Sequence, residues 1–303
     1  MASKFAGITP AFYACYDKEG NISPERVREF TEYLIGKGVQ GLYVGGSSGE
    51  CIYHSVEERK LVLENVMAVA KGRIFIIAHV ACNNTKDSQE LARHAESLGV
   101  DAIASIPPIY FKLPEHAIAK YWNDISAAAP ATPFIIYNIP QLAGVSLTMS
   151  LFREMLKNPM VKGVKNSSMP TQDIQMFKMY GGPDFTVFNG PDEQFIAGRA
   201  IGADGGIGGT YAVMPELFLA ADEAFKKGDM ERAKGIQWDI DAIIYKLCEA
   251  KGNLYATMKE VIKRRVGIDL GSVRAPLAPL AESDEPVVQE SVRLIDEAIR
   301  RWA

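Results

Sequence analysis

The chain has 303 residues, of which 48% are hydrophobic and 23% are charged, a balance that supports a large packed core and excludes intrinsic disorder. Its formal net charge of -4 comes without a block of like charges, which excludes the clustered basic face of a nucleic-acid-binding protein. No stretch reaches the roughly 18 apolar residues of a membrane span, and the first ten residues lack the apolar segment of a secretory signal. We therefore expect a cytoplasmic protein whose partner is a small molecule.

Short apolar runs alternate with amphipathic stretches through most of the chain, which is typical of parallel strands joined by crossover helices. Between the runs, helical patterns such as "SPERVREFTEYLIGKG" begin at Ser or Pro and end at Gly. The apolar runs, in chain order, are "FAGITPAFY", "VQGLYVGG", "RIFIIAHV", "DAIASIPP", "PFIIYNIP", "VKGVKNSS", "FTVFNGPDE" and "ADGGIGGTY". Eight such units predict an α/β fold, a TIM (β/α)8 barrel over residues 1–227. A doubly wound open sheet is disfavoured because no Gly-rich loop follows the first strand.

The strand pattern ends at about residue 228. Three helical stretches follow, namely "GDMERAKGIQWDIDAIIYKLCEAKG", "LYATMKEVIKRRVG" and "EPVVQESVRLIDEAIRRWA". The Pro-rich segment "LGSVRAPLAPLAESDEP" before the last of them predicts an extended connector. We expect residues 228–303 to form a C-terminal helical extension packed on the barrel.

Lys165 ends the sixth apolar run, and the carboxyl ends of the strands are where TIM barrels carry their reactive side chains. Burial there disfavours the ammonium form, which lowers the pKa and frees a neutral amine to attack a carbonyl carbon. The alternative is a lysine that reaches solvent and pairs with a carboxylate. Lys162 lies three residues earlier, so strand alternation directs it to the opposite face, toward the helices.

Other polar side chains follow neighbouring strands. Ser47 and Ser48 lie in "GGSSGE" after the second strand, where hydroxyls and backbone N–H groups cradle a carboxylate, or where the glycines form only a tight turn. Tyr137 ends the fifth strand as a proton relay or as a core tyrosine with a satisfied hydroxyl. Asp192 and Glu193 follow the seventh strand, where they bind a hydroxyl-rich substrate or cap the next helix.

The four cysteines and four histidines are scattered, with neither a C-x-x-C motif nor histidines spaced as ligands on one helical face. We therefore expect reduced thiols and no metal. A metal-dependent reaction is disfavoured on the same ground.

Four motifs taken together resemble the pyruvate-dependent class I aldolases, the family of dihydrodipicolinate synthase and N-acetylneuraminate lyase. They are "GGSSGE" at 45–50, "YNIP" at 137–140, "GVKNSS" at 163–168 and "GADGGIGGTY" at 202–211. The resemblance covers nearly the whole chain. It implies a barrel in which Lys165 forms an imine with pyruvate without any cofactor, Ser47 and Ser48 hold the pyruvate carboxylate, and Tyr137 moves protons. It also implies a homotetramer in which Tyr110 of one subunit reaches the site of its neighbour.

Within this family, "FNGPDEQF" and "ADGGIGGTY" are similar to the lyase branch, which implies that Asp192 and Glu193 bind the polyhydroxyl part of a sugar acid. Leu142 stands where the synthases carry an arginine for a substrate carboxylate. The reaction that the resemblance implies is cleavage of N-acetylneuraminate to N-acetylmannosamine and pyruvate. The remaining positions that it assigns to substrate binding are Ser167, Gly190, Gly208, Gly209 and Tyr255.

Several positions depart from the lyases. Ser48 and Ser167 replace the more usual threonine, Pro191 replaces an aromatic residue, and Gly209 replaces a frequent serine. These changes remove possible substrate contacts at Pro191 and Gly209. Other reactions of the family stay open, namely those of a 2-keto-3-deoxy sugar acid aldolase, a hydratase-aldolase or dihydrodipicolinate synthase. A non-catalytic relative that binds a keto acid is the more distant alternative.

Overall fold

The computed structural model describes residues 4–303, within which eight parallel strands form one sheet in the order β1-β8-β7-β6-β5-β4-β3-β2. A bridge between Ala11 and Tyr43 joins the two ends of the sheet, which closes it into a barrel. The prediction of a TIM barrel is therefore confirmed. The strands are β1 Gly7–Pro10, β2 Gly41–Val44, β3 Phe75–His79, β4 Ala102–Ser105, β5 Phe134–Asn138, β6 Val161–Asn166, β7 Thr186–Asn189 and β8 Gly205–Gly208.

Helices connect and cover the strands, and their ends follow capping chemistry that is visible in the sequence. The second helix has a capping box, in which the Ser55 hydroxyl accepts from Glu58 N and the Glu58 carboxylate accepts from Ser55 N. The third ends at Gly99, whose φ of 78° suits glycine. Within residues 4–303 the helices are α1 Pro24–Gly36, α2 Val56–Ala70, α3 Thr85–Leu98, α4 Glu115–Ala128, α5 Pro140–Ala143, α6 Met149–Met155, α7 Gln172–Gly181, α8 Phe195–Ala200, α9 Pro215–Lys226, α10 Met230–Leu247, α11 Leu254–Val266 and α12 Glu285–Trp302.

The three helices expected after residue 228 are present as α10, α11 and α12. Helix α10 packs against α9 and α12, and α11 packs against α12. Within the described residues, the Pro-rich connector between α11 and α12 contains one regular element, the 3₁₀ turn Glu282–Asp284, and otherwise has neither helix nor strand. The division of the chain at residues 227 and 228 stays a prediction, and the first three residues of the predicted barrel segment lie outside the described residues. No helix within residues 4–303 has both the length and the apolar character that a bilayer crossing requires.

The strands divide the core into two layers. Alternate residues of each strand fill the barrel interior, among them Tyr43, Ile135, Tyr137 and Phe188, while the others pack outward beneath the helices. In the sheet register Lys165 lies beside Tyr137 on one side and Phe188 on the other. Lys165 therefore belongs to the inward set.

Lys162, by contrast, is exposed. The prediction that strand alternation separates the two lysines of β6 is confirmed.

Candidate active site

Lys165 lies at the carboxyl end of β6 with 5% of its surface exposed. Its Nζ is 4.0 Å from the ring centroid of Tyr137 and 4.3 Å from that of Tyr43. Burial lowers the pKa of Lys165 to about 7, while the negative charge of Asp192 acts in the opposite direction. The lysine forms no ion pair with any residue in 4–303, so the alternative of a solvent-exposed, paired lysine is wrong. A substantial neutral fraction of this amine exists at neutral pH.

Tyr137, the last residue but one of β5, lies beside Lys165 and near two of the predicted hydroxyl residues. Burial raises the pKa of Tyr137 to about 12, although the neighbouring Ser167 and Ser47 hydroxyls lower it. The phenol therefore keeps its proton at neutral pH. Because Ser47 follows β2 and Ser167 follows β6, the hydroxyl of Tyr137 lies between two loops at the mouth of the barrel.

The loop after β2 folds into the 3₁₀ turn Ser47–Gly49. Ser48 is buried in this turn, next to Tyr255 of α11. Burial raises the pKa of Tyr255 to about 12, and the neighbouring Ser48 hydroxyl lowers it. The structure thus brings the predicted residues Ser47, Ser48 and Tyr255 to the same side of the site.

Asp192 is buried and is held by one residue of the loop after β8. Its Oδ2 accepts hydrogen bonds from Thr210 N and Thr210 Oγ1, both at 2.7 Å. Its Oδ1 is buried and has no hydrogen-bond partner within residues 4–303. Burial raises the pKa of Asp192 to about 6. The carboxylate does not cap the helix that follows it, so that alternative is wrong for Asp192. Glu193 is exposed at the rim.

The predicted glycines lie against these polar groups. A methyl group at Gly190 would overlap Ser167 Oγ, and one at Gly208 would overlap Asp192 Oδ1. A methyl group at Gly209 would come within 3.3 Å of Ser48 Oγ. Close approach of the backbone to the Ser167 hydroxyl and the Asp192 carboxylate explains why glycine occupies positions 190 and 208.

Tyr110 is the one predicted site residue that the single chain does not bring to the others. It is 90% exposed, with φ of 88°. Its ring contacts Phe111 edge to face, with 5.0 Å between centroids. Its predicted place in the site of a neighbouring subunit stays a prediction.

Sequence reasoning missed several residues that shape the site. Tyr43 places its ring over Lys165, and Tyr13 donates a hydrogen bond from its hydroxyl to Gly209 O at 2.6 Å. Thr210 holds the Asp192 carboxylate. The sequence could have indicated Tyr43, because strand alternation in "GLYV" directs its side chain into the barrel. The same alternation directs Lys165 inward from β6.

Within residues 4–303 no three His, Cys, Asp or Glu side chains converge as metal ligands do. Near the site, His79 Nδ1 forms a hydrogen bond with the carbonyl oxygen of Gly45 at 2.8 Å. Burial lowers the pKa of His79 to about 3. That the chemistry needs neither a metal nor another cofactor stays a prediction.

A buried amine with a pKa near neutrality, a protonated phenol and a pair of hydroxyls suit attack on the carbonyl carbon of a keto acid. The fold and the site together define the class of the protein. It is a TIM-barrel enzyme whose candidate nucleophile is a lysine at the carboxyl end of β6.

The sequence profile of the dihydrodipicolinate synthetase family matches residues 4–295, and the chain belongs to that family. It is 64% identical over 299 residues to N-acetylneuraminate lyase of Mediterraneibacter gnavus, covering 99% of this chain and 95% of that protein. It is 33% identical over 289 residues to N-acetylneuraminate lyase of Salmonella agona, covering 95% and 96%. The solved structure of a Ruminococcus gnavus sialic acid aldolase catalytic lysine mutant has a TM-score of 0.98 at 63% identity, covering 99% of this chain and 98% of that one. The family resemblance of the four motifs is thereby confirmed.

Proposed function

We propose that this protein is a carbon–carbon lyase that cleaves N-acetylneuraminate to N-acetylmannosamine and pyruvate through an imine on Lys165. The observation that carries the proposal is the buried Lys165 amine, whose pKa burial lowers to about 7. Identity of 64% to the M. gnavus N-acetylneuraminate lyase along nearly its whole length supports the substrate. The R. gnavus aldolase at a TM-score of 0.98 has a catalytic lysine, which supports the nucleophile.

The proposed reaction begins when the neutral Lys165 amine adds to the C2 ketone of the open-chain sugar acid, takes up one proton and expels water; the proton is returned when the imine is hydrolysed. The resulting iminium accepts the electron pair of the breaking C3–C4 bond. The C4 hydroxyl loses its proton as N-acetylmannosamine leaves as the aldehyde. The remaining enamine takes up a proton at C3, and water hydrolyses the imine to release pyruvate and the free amine. No electrons are gained or lost in this sequence.

Tyr137 relays the proton of the C4 hydroxyl in this proposal. Since its pKa is about 12, it is a phenol rather than a phenolate at neutral pH, so it passes one proton on as it accepts another. The substrate carboxylate, held by Ser47 and Ser48, lies within the same hydrogen-bonded group and carries the proton between the hydroxyl and Tyr137. Ser167 orients the phenol.

Asp192 and Glu193 receive the polyhydroxyl tail of the sugar acid. Asp192 Oδ1 is a buried acceptor without a partner within residues 4–303, which suits a substrate hydroxyl. Gly190, Gly208 and Gly209 leave room for the tail beside it. The tail then lies between the loops that follow β7 and β8.

The proposal extends to a homotetramer in which Tyr110 completes the site of a neighbouring subunit. Tyr110 and Phe111 are 90% and 71% exposed and lie side by side. Burial of this apolar surface against a neighbouring subunit would stabilise the assembly. A cytoplasmic location stays a prediction.

Borohydride reduction in the presence of pyruvate tests the nucleophile. We expect one reduced pyruvate unit on Lys165, located by peptide mapping, and none on Lys162. An adduct on another side chain, or no adduct, would overturn the imine proposal and favour a binding role.

Pyruvate release from a panel of sugar acids tests the substrate. We expect the highest kcat/KM for N-acetylneuraminate, and activity that a chelator does not reduce. A higher value for a 2-keto-3-deoxy sugar acid would assign the protein to another reaction of its family.

A further inference from the structure

Glu50, the last residue of "GGSSGE", forms a buried ion pair with Lys259 of α11. Their side chains are 0% and 1% exposed, and 2.8 Å separates Glu50 Oε1 from Lys259 Nζ. Glu50 Oε2 accepts from Arg274 N at 2.8 Å and from the Tyr16 hydroxyl at 3.0 Å. Lys259 Nζ also donates to Ser272 O at 2.8 Å. Both carboxylate oxygens of Glu50 are therefore engaged by segments far away in sequence.

The backbone of Glu50 closes the serine turn. Glu50 N donates to Ser47 O at 3.0 Å, and Glu50 adopts the left-handed conformation with φ of 51° and ψ of 31°. A residue with a side chain occupies that region only where its surroundings hold it there. Here the holding groups act on the Glu50 carboxylate, so they also fix the end of the turn that presents Ser47 and Ser48.

One face of α11 contacts the site three times. Tyr255, Met258 and Lys259 have the i, i+3, i+4 spacing of neighbours on a helix surface. The Tyr255 hydroxyl neighbours Ser48, and Met258 Sδ lies 3.2 Å from the Tyr13 hydroxyl, which donates a hydrogen bond to Gly209 O. Lys259, the third residue of this face, contacts the serine turn through its ion pair with Glu50.

We propose that the Glu50–Lys259 pair holds the Ser47–Ser48 turn in its carboxylate-binding geometry, so that α11 sets the affinity of the site for keto acids. The proposal rests on the carboxylate-binding role of the two serines in the proposed function. Glu50 and Lys259 are positioning residues, since they act on the turn and not on the substrate. Their loss changes the half-saturating keto acid concentration more than the limiting rate, because the Lys165 amine is built on another strand.

The test substitutes Glu50→Gln, which removes the negative charge and replaces one carboxylate oxygen with an NH2 group that cannot accept a hydrogen bond from either the Lys259 ammonium or Arg274 N. The rate of borohydride trapping is measured against pyruvate concentration. We expect the half-saturating pyruvate concentration to rise by about tenfold or more, as for a lost charge-assisted hydrogen bond, and the limiting rate to change by less than about threefold. If Glu50→Gln does not yield folded protein, the double variant Glu50→Gln/Lys259→Met is used instead, because it removes both charges of the pair. We expect the same changes in half-saturating pyruvate and in limiting rate for the double variant.

Asp222→Asn is the matched control. It breaks another buried ion pair, between Asp222 of α9 and Arg199 of α8 at 2.8 Å with 4% and 9% side-chain exposure. We expect this variant to lose thermal stability without a change in half-saturating pyruvate. An equal rise in both variants, or a change below about twofold in folded Glu50→Gln, would overturn the positioning role.

Failure of the proposed function gives a different result. Wild-type protein that traps no pyruvate on Lys165 refutes the imine. The positioning role is then judged from noncovalent pyruvate binding in a ligand-observed NMR titration, comparing Lys165→Ala with Lys165→Ala/Glu50→Gln. Weaker binding in the double variant supports the role, and equal binding overturns it.

Discussion

Lys165 and Asp192 are buried titratable groups whose pKa values burial moves toward each other. Burial lowers the pKa of Lys165 to about 7 and raises that of Asp192 to about 6. Each charge stabilises the other, which limits both shifts. Near neutral pH the amine is consequently divided between its charged and neutral forms, and modest changes in its surroundings alter the reactive fraction.

The pH dependence of imine trapping follows from these values. The neutral fraction of Lys165 rises with pH through about 7, so the initial trapping rate at saturating pyruvate increases up to that pH and then levels off. Asp192→Asn removes the negative charge that raises the pKa of Lys165, so we expect the midpoint to move to lower pH. Glu193→Gln, at the exposed rim, serves as the control and leaves the midpoint in place. A wild-type midpoint above about pH 9, near that of an ordinary lysine, would contradict the assignment.

Tyr137→Phe separates imine formation from proton transfer. The substitution keeps the ring beside Lys165 and removes only the hydroxyl, so pyruvate still forms a trappable imine. We expect cleavage of N-acetylneuraminate to fall by about 10²- to 10⁴-fold, the usual contribution of a positioned proton-transfer group. Measuring both reactions on one preparation distinguishes a relay from a packing residue, because loss of trapping together with cleavage would indicate disturbed packing.

At the scale of the element, the glycines of β8 show how one strand serves both packing and the site. A methyl group at Gly205 would overlap the backbone of Gly7 in β1, and one at Gly206 would overlap the Tyr211 hydroxyl. At Gly208 it would overlap Asp192 Oδ1. The overlap at Gly205 is with the backbone of the neighbouring strand, whereas the overlap at Gly208 is with a carboxylate of the candidate site.

Gly205→Ala therefore tests the closure of the barrel. The backbone atoms of Gly7 cannot rotate away as a side chain can, so the strands must separate, and we expect a loss of about 1–3 kcal/mol in the free energy of unfolding. Gly209→Ala is the comparison. The added methyl group would lie 3.3 Å from its nearest neighbour, Ser48 Oγ, so we expect the free energy of unfolding to fall by less than about 0.5 kcal/mol. Denaturant unfolding of the two variants against wild type provides the measurement. Equal stability of the two would show that β1 and β8 tolerate a wider spacing.

At the scale of the whole molecule, the fold was predictable because its signals are local and repeated. Each strand is a short apolar run bounded by polar or glycine residues, and many of the helices begin at a capping residue or a proline that is visible in the sequence. Strand alternation alone separated Lys165 from Lys162 on β6. The C-terminal helices were predictable for the same reason, from their apolar periodicity.

The parts of the site that escaped sequence reasoning depend on side chains distant in sequence. Lys259 and Glu50 are 209 residues apart, and no local pattern in "LYATMK" indicates that its lysine will be buried against an acid. The position of the Asp192 carboxylate likewise depends on Thr210, which lies in the loop after β8 and donates two hydrogen bonds to it. Such pairings arise only when the barrel closes and brings the loops after different strands to one mouth.

The predicted role of Tyr110 concerns the assembly, because the structure of one chain leaves this residue 90% exposed. If Tyr110 acts in the site of a neighbour, Tyr110→Ala and Lys165→Ala damage the same site from two different chains. Each variant alone is then expected to lose most of its activity while keeping its oligomeric state in solution.

Mixed assemblies of these two variants test whether the site is shared. When a Tyr110→Ala subunit pairs with a Lys165→Ala subunit across a two-fold interface, one of their two sites contains both intact residues and the other contains neither. Random pairing makes half of the pairs mixed, so co-refolded variants are expected to regain about a quarter of the wild-type rate of pyruvate release. Each variant refolded alone provides the baseline. A mixture that stays at the sum of the two baselines would show that Tyr110 serves its own subunit or none, and that each site is complete within one chain.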